Sequence, residues 1–269
     1  MVPQWQGSGS TRAMRLGDGA LAIQGDLPAS RTVAIEVPLG AGEPLGTGVA
    51  RFSSLRLVRD RLADALDGTA EPVIVIGGDC GVELAAVEHA IRRDGVAPAV
   101  VWLDAHPDLG ALDPDRPRPF CGTVARALLG DGADGLRSDP ALPPDRLVLA
   151  GTRAIDDDEQ ALIDEKGVPI VPVAALGGSA LADAVAATGA RSVYVHIDLD
   201  VLDPGVVTGI AEPQPFGVGL PELVAELRAL VARFPLAGAG IAMFAPDGPD
   251  AADEDLATVL RLLSALTAP

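Results

Sequence analysis

Residues 73–80 read VIVIGGDC. Four β-branched residues run into two glycines, an acid and a cysteine, which is the pattern of a buried strand that ends in a sharp turn. In α/β proteins such turns lie at the carboxyl edge of the sheet, where ligands bind. The segment therefore predicts a parallel strand over Val73–Ile76 and places Cys80 beside a candidate site.

Short apolar runs of the same kind alternate with amphipathic stretches along the whole chain. The other predicted strands are Thr32–Val37, Ala99–Leu103, Leu147–Ala150, Pro169–Pro172, Ser192–Ile197 and Gly238–Ala242. The predicted helices are Ser53–Leu66, Val82–Arg92, Asp157–Lys166, Ala180–Thr188, Pro221–Phe234 and Asp253–Leu266. This alternation predicts a doubly wound α/β fold, a three-layer αβα sandwich around a mainly parallel sheet.

The composition limits the partners of the protein. A formal charge of −18 argues against binding to nucleic acid. Two cysteines without a framework spacing indicate a reduced, cytoplasmic protein. Neither a membrane span nor a secretory signal is predicted. We expect residues 1–20 to form a loose N-terminal arm and residues 21–269 to form a single α/β domain.

Acidic residues and histidines gather where two predicted strands end. Asp104, His106 and Asp108 lie in DAHPD with a spacing of two residues, so an extended backbone points all three to one side. His196, Asp198 and Asp200 repeat this spacing in HIDLD. Carboxylates buried together repel one another, and a divalent cation, or two, relieves that repulsion.

Each of these motifs also has a simpler interpretation. A lone pair of acids is more often exposed on a loop than bound to a metal. His196 alone is also compatible with a hydrogen-bonded core histidine, and His89, within a predicted helix, is interpreted as structural. The metal hypothesis depends on the coincidence of both clusters and the GGD turn at strand ends.

In combination the motifs resemble those of the ureohydrolases, the family of arginase, agmatinase and formiminoglutamase. The family's GGDH, DAHxD and DxDxxDP motifs stand here as GGDC, DAHPD and DLDVLDP, in the same order. IEVPLGAG (35–42) and GTRAIDDDE (151–159) extend the resemblance to roughly residues 30–265. It implies an αβα sandwich, a homo-oligomer (a trimer or a hexamer) and a small guanidino or amidino substrate.

The resemblance also implies a site with two Mn²⁺ ions, whose bridging hydroxide attacks the guanidinium carbon. Carried over residue by residue, the implied ligands are Cys80, Asp104, His106, Asp108, Asp198 and Asp200. Asp104 and Asp198 would bridge the two ions. Asp108 is also a candidate catalytic residue, because an acid near the loop can relay a proton to the leaving amine.

Gly110 and Pro117 replace polar loop residues of the family, and three further departures concern the chemistry of the site. Cys80 replaces a ligand histidine, and its softer sulfur favours Zn²⁺ or Fe²⁺ more than imidazole does; a neutral thiol beside a weak site is the alternative. Cys121 aligns with a histidine that shuttles protons, which makes it a candidate general acid or a packing residue. Met243 stands where the family binds guanidinium with a glutamate, so the substrate is not expected to be plain arginine.

Three further residues are candidates for the lost roles. Glu212 can supply the missing carboxylate for the substrate, and Asp156 is retained at a position that holds the substrate's amino end in the family. His196 is a candidate extra ligand or base.

The sequence therefore predicts a metal-dependent hydrolase of a linear amidine. A catalytically inactive relative that binds a metal or small molecule, or serves as a structural subunit, is the alternative.

Overall fold

A computed structural model of the protein describes residues 1–267, which contain a six-stranded sheet. Its strands are β1 (Val73–Ile76), β2 (Ala99–Leu103), β3 (Leu147–Ala150), β4 (Ile170–Val171), β5 (Val193–Asp198) and β6 (Leu236–Ala242). The spatial order is β1-β6-β5-β2-β3-β4, and every neighbouring pair is parallel. The predicted parallel sheet is confirmed.

Helices cover both faces of this sheet. They are α1 (Arg15–Gly25), α2 (Phe52–Leu66), α3 (Glu83–Asp94), α4 (Val124–Leu128), α5 (Asp157–Lys166), α6 (Ala180–Thr188), α7 (Leu220–Arg233) and α8 (Pro249–Thr267). None of the described helices is both long and apolar enough to cross a membrane.

Strand β2 shows how the sheet divides the core into two layers. Val100 and Trp102 pack with residues of α2, α3 and α4 on one face, whereas Val101 and Leu103 pack with residues of α6, α7 and α8 on the other. All five residues of β2 are buried, because a central parallel strand is covered on both sides. The αβα sandwich follows from this alternation.

The stretch Thr32–Val37 is extended but does not form a strand, so that prediction is wrong. β1 is an edge strand, and its free edge is occupied near its end by Val2, whose N–H donates to the carbonyl of Ile76 at 2.8 Å. The backbone of the stretch makes two bonds to Met1: the N–H of Ile35 donates to the Met1 carbonyl, and the Met1 amino group donates to the Val33 carbonyl, each at 2.8 Å. A strand needs a longer ladder of backbone partners than this.

The first residues of the chain are packed rather than loose, so the predicted arm is wrong. Val2 is fully buried, and Gln4, Gln6 and Ser8 are buried as well. Gln4 Nε2 donates to Asp79 Oδ1, and the N–H of Gly7 donates to Asp79 Oδ2, each at 2.8 Å. The N-terminal segment is therefore hydrogen-bonded to the turn that contains Asp79 and, directly after it, the predicted ligand Cys80.

Replacing Gln4 with Ala is expected to lower the free energy of unfolding by about 1–3 kcal/mol, because it removes a buried donor to Asp79. Urea denaturation measures the change. Gln160→Ala is the matched control, since Gln160 is exposed and bonds only to Asp164 on the surface of α5. An equal, small effect of both substitutions would contradict the packed N-terminus.

Candidate metal centre

The predicted ligands converge at the carboxyl edge of the sheet. Asp104 follows β2, Asp198 ends β5, and Cys80 follows β1. A cavity of about 870 Å³ opens over this edge. It is lined by Cys80, His106, Asp108, Asp198 and Asp200, while Asp104 lies beneath them, buried to 1% exposure.

Asp104, His106 and Asp200 form the first group of possible ligands. His106 Nδ1 lies 2.8 Å from Asp200 Oδ2 and 3.5 Å from Asp104 Oδ1. The other Asp200 oxygen accepts from the N–H of Ala105 at 2.8 Å. Each of the three residues offers a ligand atom within 4.8 Å of the other two.

Cys80 and Asp198 face each other across the gap between two strand ends. Cys80 Sγ donates to Asp198 Oδ2 at 3.2 Å. The second Asp198 oxygen accepts from the N–H of Asp200 at 2.8 Å and caps the short 3-10 turn over Leu199–Val201. Burial and the nearby carboxylate of Asp198 raise the pKa of the Cys80 thiol well above its usual value.

Asp108 is held in an unusual backbone conformation. Its φ is +53°, in the left-handed region that few non-glycine residues adopt, and its carbonyl accepts from the N–H of Arg126. Asp108 Oδ2 is buried without a hydrogen-bond partner among the described residues. A strained backbone conformation together with a buried carboxylate oxygen that lacks a hydrogen bond is characteristic of a functional position.

The electrostatics of the cluster favour a cation. Burial, then the charge of Asp104, raises the pKa of Asp200 to about 7, and burial with the charge of Asp200 raises that of Asp198 well above its usual value. The bonds to Asp104 and Asp200 outweigh burial and raise the pKa of His106 to about 12. The orphaned oxygen of Asp108 and this excess of negative charge both fit divalent ions with oxygen and nitrogen ligands.

The structure brings most of the other predicted residues to the same cavity. Cys121, Asp156, Glu212 and Met243 all line it. Asp156 also forms a capping box at the start of α5. His196 is different, because it is fully buried beneath the cavity and does not line it.

Several residues of the site were not predicted. Gly9, Ser10 and Thr11 line the cavity, because the N-terminal segment packs across the sheet edge. Trp102 Nε1 donates to Asp104 Oδ2 at 3.1 Å. Side chains two residues apart on a strand point to the same side, and this rule would have indicated the contact. Arg153 donates to the carbonyls of Asp200, Gly151, Gln214 and Pro215 and fixes the loop beside the ligands.

Comparison with known proteins agrees with the geometry. The model of the Arginase family matches residues 11–263. An arginase of Bacillus caldovelox is 31% identical over 66% of this chain and 65% of its own length, so the match spans slightly less than two thirds of that relative. A formimidoylglutamase of Nocardia farcinica is 32% identical over 83% of this chain and 70% of its own length.

The fold has close structural neighbours as well. The crystal structure of an Entamoeba histolytica arginase in complex with L-ornithine superposes with a TM-score of 0.84, at 20% identity, over 100% of this chain and 97% of that one. The identity is low, so this likeness supports the fold. Together with the family match over residues 11–263, it confirms the resemblance drawn from the three motifs, and the chain belongs to the arginase family of ureohydrolases.

Proposed function

We propose that the protein is a metal-dependent hydrolase of a linear amidine, a compound with a guanidino or formimino C–N bond. The observation that carries the proposal is the group of buried carboxylates and one imidazole that converge beneath a single open cavity. Carboxylates buried this close together either stay protonated or need a compensating cation in order to ionise. The names of the arginase and the formimidoylglutamase support a substrate of the amidine class.

The proposed ligands of two divalent ions are Cys80, Asp104, His106, Asp108, Asp198 and Asp200. Mn²⁺ is the proposed ion by family resemblance, with Zn²⁺ or Fe²⁺ as alternatives because Cys80 is a sulfur ligand. When bound, such ions lower the pKa of a water molecule and supply the nucleophile that a poorly electrophilic amidine carbon requires.

Cys121 and Asp108 are the proposed proton-transfer residues. Burial, followed by the charge of Asp108, raises the pKa of the Cys121 thiol well above its usual value, so the thiol stays protonated at neutral pH. We propose that it donates its proton to the leaving amine, a base strong enough to take it. Asp108, the carboxylate whose charge acts on that thiol, is the proposed proton relay as well as a proposed ligand.

Glu212 and Asp156 are the proposed substrate-binding residues. Met243 is 3% exposed and lines the cavity without any charge, so it cannot pair with an amidinium group. Glu212 lines the same cavity, and burial raises its pKa while His106 opposes that rise. A carboxylate in this position supports a substrate other than plain arginine, held through Glu212.

Glu212→Gln is expected to raise KM for the amidine about 10–100-fold, because it removes a charge-assisted hydrogen bond to the substrate. Initial rates at varied substrate concentration measure the change. Glu222→Gln is the matched control, since Glu222 is exposed at the start of α7. Unchanged KM in the Glu212 variant would remove Glu212 from the proposed substrate site.

A substrate panel tests the proposed function. Protein loaded with Mn²⁺ or with Zn²⁺ is incubated with arginine, a hydroxyguanidine, an alkylguanidine and a formimino compound. The release of urea, hydroxyurea, formamide or ammonia is followed. We expect turnover of at least one amidine other than arginine. Two bound ions per chain without turnover of any compound would favour the inactive, metal-binding alternative.

Three broader proposals follow: a homo-oligomer, by family resemblance; a cytoplasmic location, from two cysteines whose spacing fits no disulfide framework; and a single domain, which includes the packed first residues. Sedimentation equilibrium tests the first, and a trimer or hexamer is expected. A single cooperative unfolding transition is expected for the domain.

A further inference from the structure

A second polar group lies beneath the cavity, between the sheet and the start of α3. It consists of Glu83, Tyr194 and His196, all buried to 1% exposure or less. Tyr194 donates its hydroxyl proton to Glu83 Oε2 at 2.6 Å. The other Glu83 oxygen, Oε1, has no hydrogen-bond partner among the described residues and lies 3.6 Å from His196 Nδ1.

Both ring nitrogens of His196 lack a hydrogen-bond partner among residues 1–267, although the side chain is fully buried. The ring packs against Trp102 with centroids 3.8 Å apart, which fixes the orientation of the imidazole. Nε2 points toward Asp104, whose Oδ2 lies 3.9 Å away. A buried imidazole whose two nitrogens both lack hydrogen bonds requires an explanation, because buried polar groups normally have hydrogen-bond partners.

A ligand set for a metal ion provides that explanation. Cys80, Asp104 and His196 each offer a ligand atom, and these atoms all lie within 4.8 Å of one another. Thiolate, carboxylate and imidazole together suit Zn²⁺ better than ions that prefer oxygen alone. Zinc bonds of about 2.0–2.3 Å would draw the three atoms closer together on binding.

We propose that His196 is a metal ligand, that it completes a zinc-type site with Cys80 and Asp104, and that Glu83 is the positioning residue behind it. The inference rests on the proposed function in one respect, namely that the cluster holds divalent ions. It adds that the two sides of the centre have ligand sets of different chemistry. The Cys80 side would select a softer ion than the Asp104–His106–Asp200 side, where the ligands are oxygen and nitrogen.

The surroundings of Glu83 match the role of an outer partner to a metal-bound histidine. Such a histidine commonly donates its second ring N–H to a carboxylate, which fixes the tautomer. Gly240 makes room for that carboxylate, because a Cβ at this position would overlap the Glu83 side chain. Tyr194 holds one carboxylate oxygen and leaves the other facing His196 Nδ1.

The competing explanation is a closed polar cluster in which His196 merely packs on Trp102 and pairs with Glu83. Metal binding distinguishes the two explanations without any measurement of activity. The chain has only three histidines, His89, His106 and His196, so each imidazole can be followed separately.

The test uses metal-free protein labelled with ¹⁵N-histidine and titrated with Zn²⁺. We expect the ring nitrogens of His106 and His196 to shift and those of His89 to stay unchanged. The resonances of the metal-free protein are assigned from His89→Asn and His106→Asn, and His89→Asn also serves as the control variant. Titration with Co²⁺ is expected to give a thiolate-to-cobalt charge-transfer band that Cys80→Ser removes. A shift confined to His106, or the absence of the thiolate band, would overturn the inference.

Glu83→Gln separates a positioning role from simple packing. The glutamine keeps the shape of the side chain but weakens the pairing with His196 Nδ1, so Co²⁺ affinity at the thiolate band should fall about 10–100-fold. His89→Asn should leave this affinity unchanged. A folded Glu83→Gln protein, with unaltered circular dichroism and unaltered Co²⁺ affinity, would refute the role of Glu83.

Failure of the inference about His196 can be distinguished from failure of the proposed hydrolase function. Turnover of an amidine with His196 unshifted by Zn²⁺ would overturn this inference and leave the hydrolase proposal in place. A shifted His196 with a thiolate band, but no turnover of any amidine, would support the site and contradict the hydrolase.

Discussion

Asp198→Asn is expected to abolish amidine hydrolysis and to weaken metal binding by more than about 100-fold, the upper end of what loss of an outer partner costs. Asp198 ends β5 at the centre of the cluster, and its carboxylate faces Cys80 Sγ at 3.2 Å. An amide oxygen can still accept from the N–H of Asp200, so the local turn is retained. The amide removes the negative charge that Asp198, as a proposed ligand, would supply to a bound cation.

The same variant should be at least as stable as the wild-type protein when both are free of metal. Asp198 is buried beside Asp104 and Asp200, and removing one of several mutually repelling carboxylates relieves strain. Asp183→Asn is the control, because Asp183 lies on the surface of α6 and pairs only with Ser179 and Arg233. Turnover and metal content near wild-type values in the Asp198 variant would contradict its assignment as a ligand.

Removal of metal is expected to make the stability of the protein fall steeply with rising pH. The folded-state pKa of Asp200 is raised from 3.8 to about 7 by burial, then by Asp104. The folded protein therefore holds this proton more tightly than the unfolded chain, and stability declines as pH rises from about 4 to 7. A shift of this size corresponds to a loss on the order of 4 kcal/mol.

Two other groups act in the same direction. Burial raises the pKa of Asp79 to about 6, and the carboxylates around His106 outweigh burial and raise its pKa from 6.5 to about 12. Stability from the charged imidazole is fully present below pH 6.5 and is lost as pH rises through the folded value. Bound divalent ions would replace the protons of Asp200 and His106, which are proposed ligands, and should oppose their part of the loss.

Urea denaturation at pH 5 and pH 8, with chelator and with Mn²⁺ or Zn²⁺, measures this linkage. We expect the chelated protein to be less stable at pH 8 than at pH 5, and the metal to stabilise it far more at pH 8. Metal-free protein that is equally stable at both pH values would show that the carboxylates are not buried against one another.

The predictable part of the structure is local. Runs such as Leu147–Ala150 and Ala99–Leu103 are strands at the predicted bounds, because central parallel strands are continuously apolar. The two-residue spacing in DAHPD and HIDLD is not a strand spacing in the structure, because β2 ends at Leu103, Asp108 has a φ of +53° and Asp200 lies in a 3-10 turn. The strand bounds and the position of both motifs at the carboxyl edge of the sheet are the features that follow from the local pattern. These features need no knowledge of distant contacts.

The unpredicted part depends on packing between distant segments. The N-terminal residues contain glycine, serine and glutamine, which are typical of a loop, yet Gln4 and Gly7 satisfy the buried Asp79. The sequence makes His196 a candidate extra ligand or base that projects to the same side as Asp198, toward the cavity. His196 instead packs on Trp102 beneath the cavity, because β2 and β5 are adjacent and pair Trp102 with His196.

The most direct test of the central claim is the rate of amidine hydrolysis measured against the number of metal ions bound per chain. Metal-free protein is titrated with Mn²⁺ or Zn²⁺, and product release and metal content are determined on the same samples. The proposal predicts no turnover without metal and a rate that rises until two ions are bound. Turnover in metal-free protein, or none with both ions bound, would contradict it.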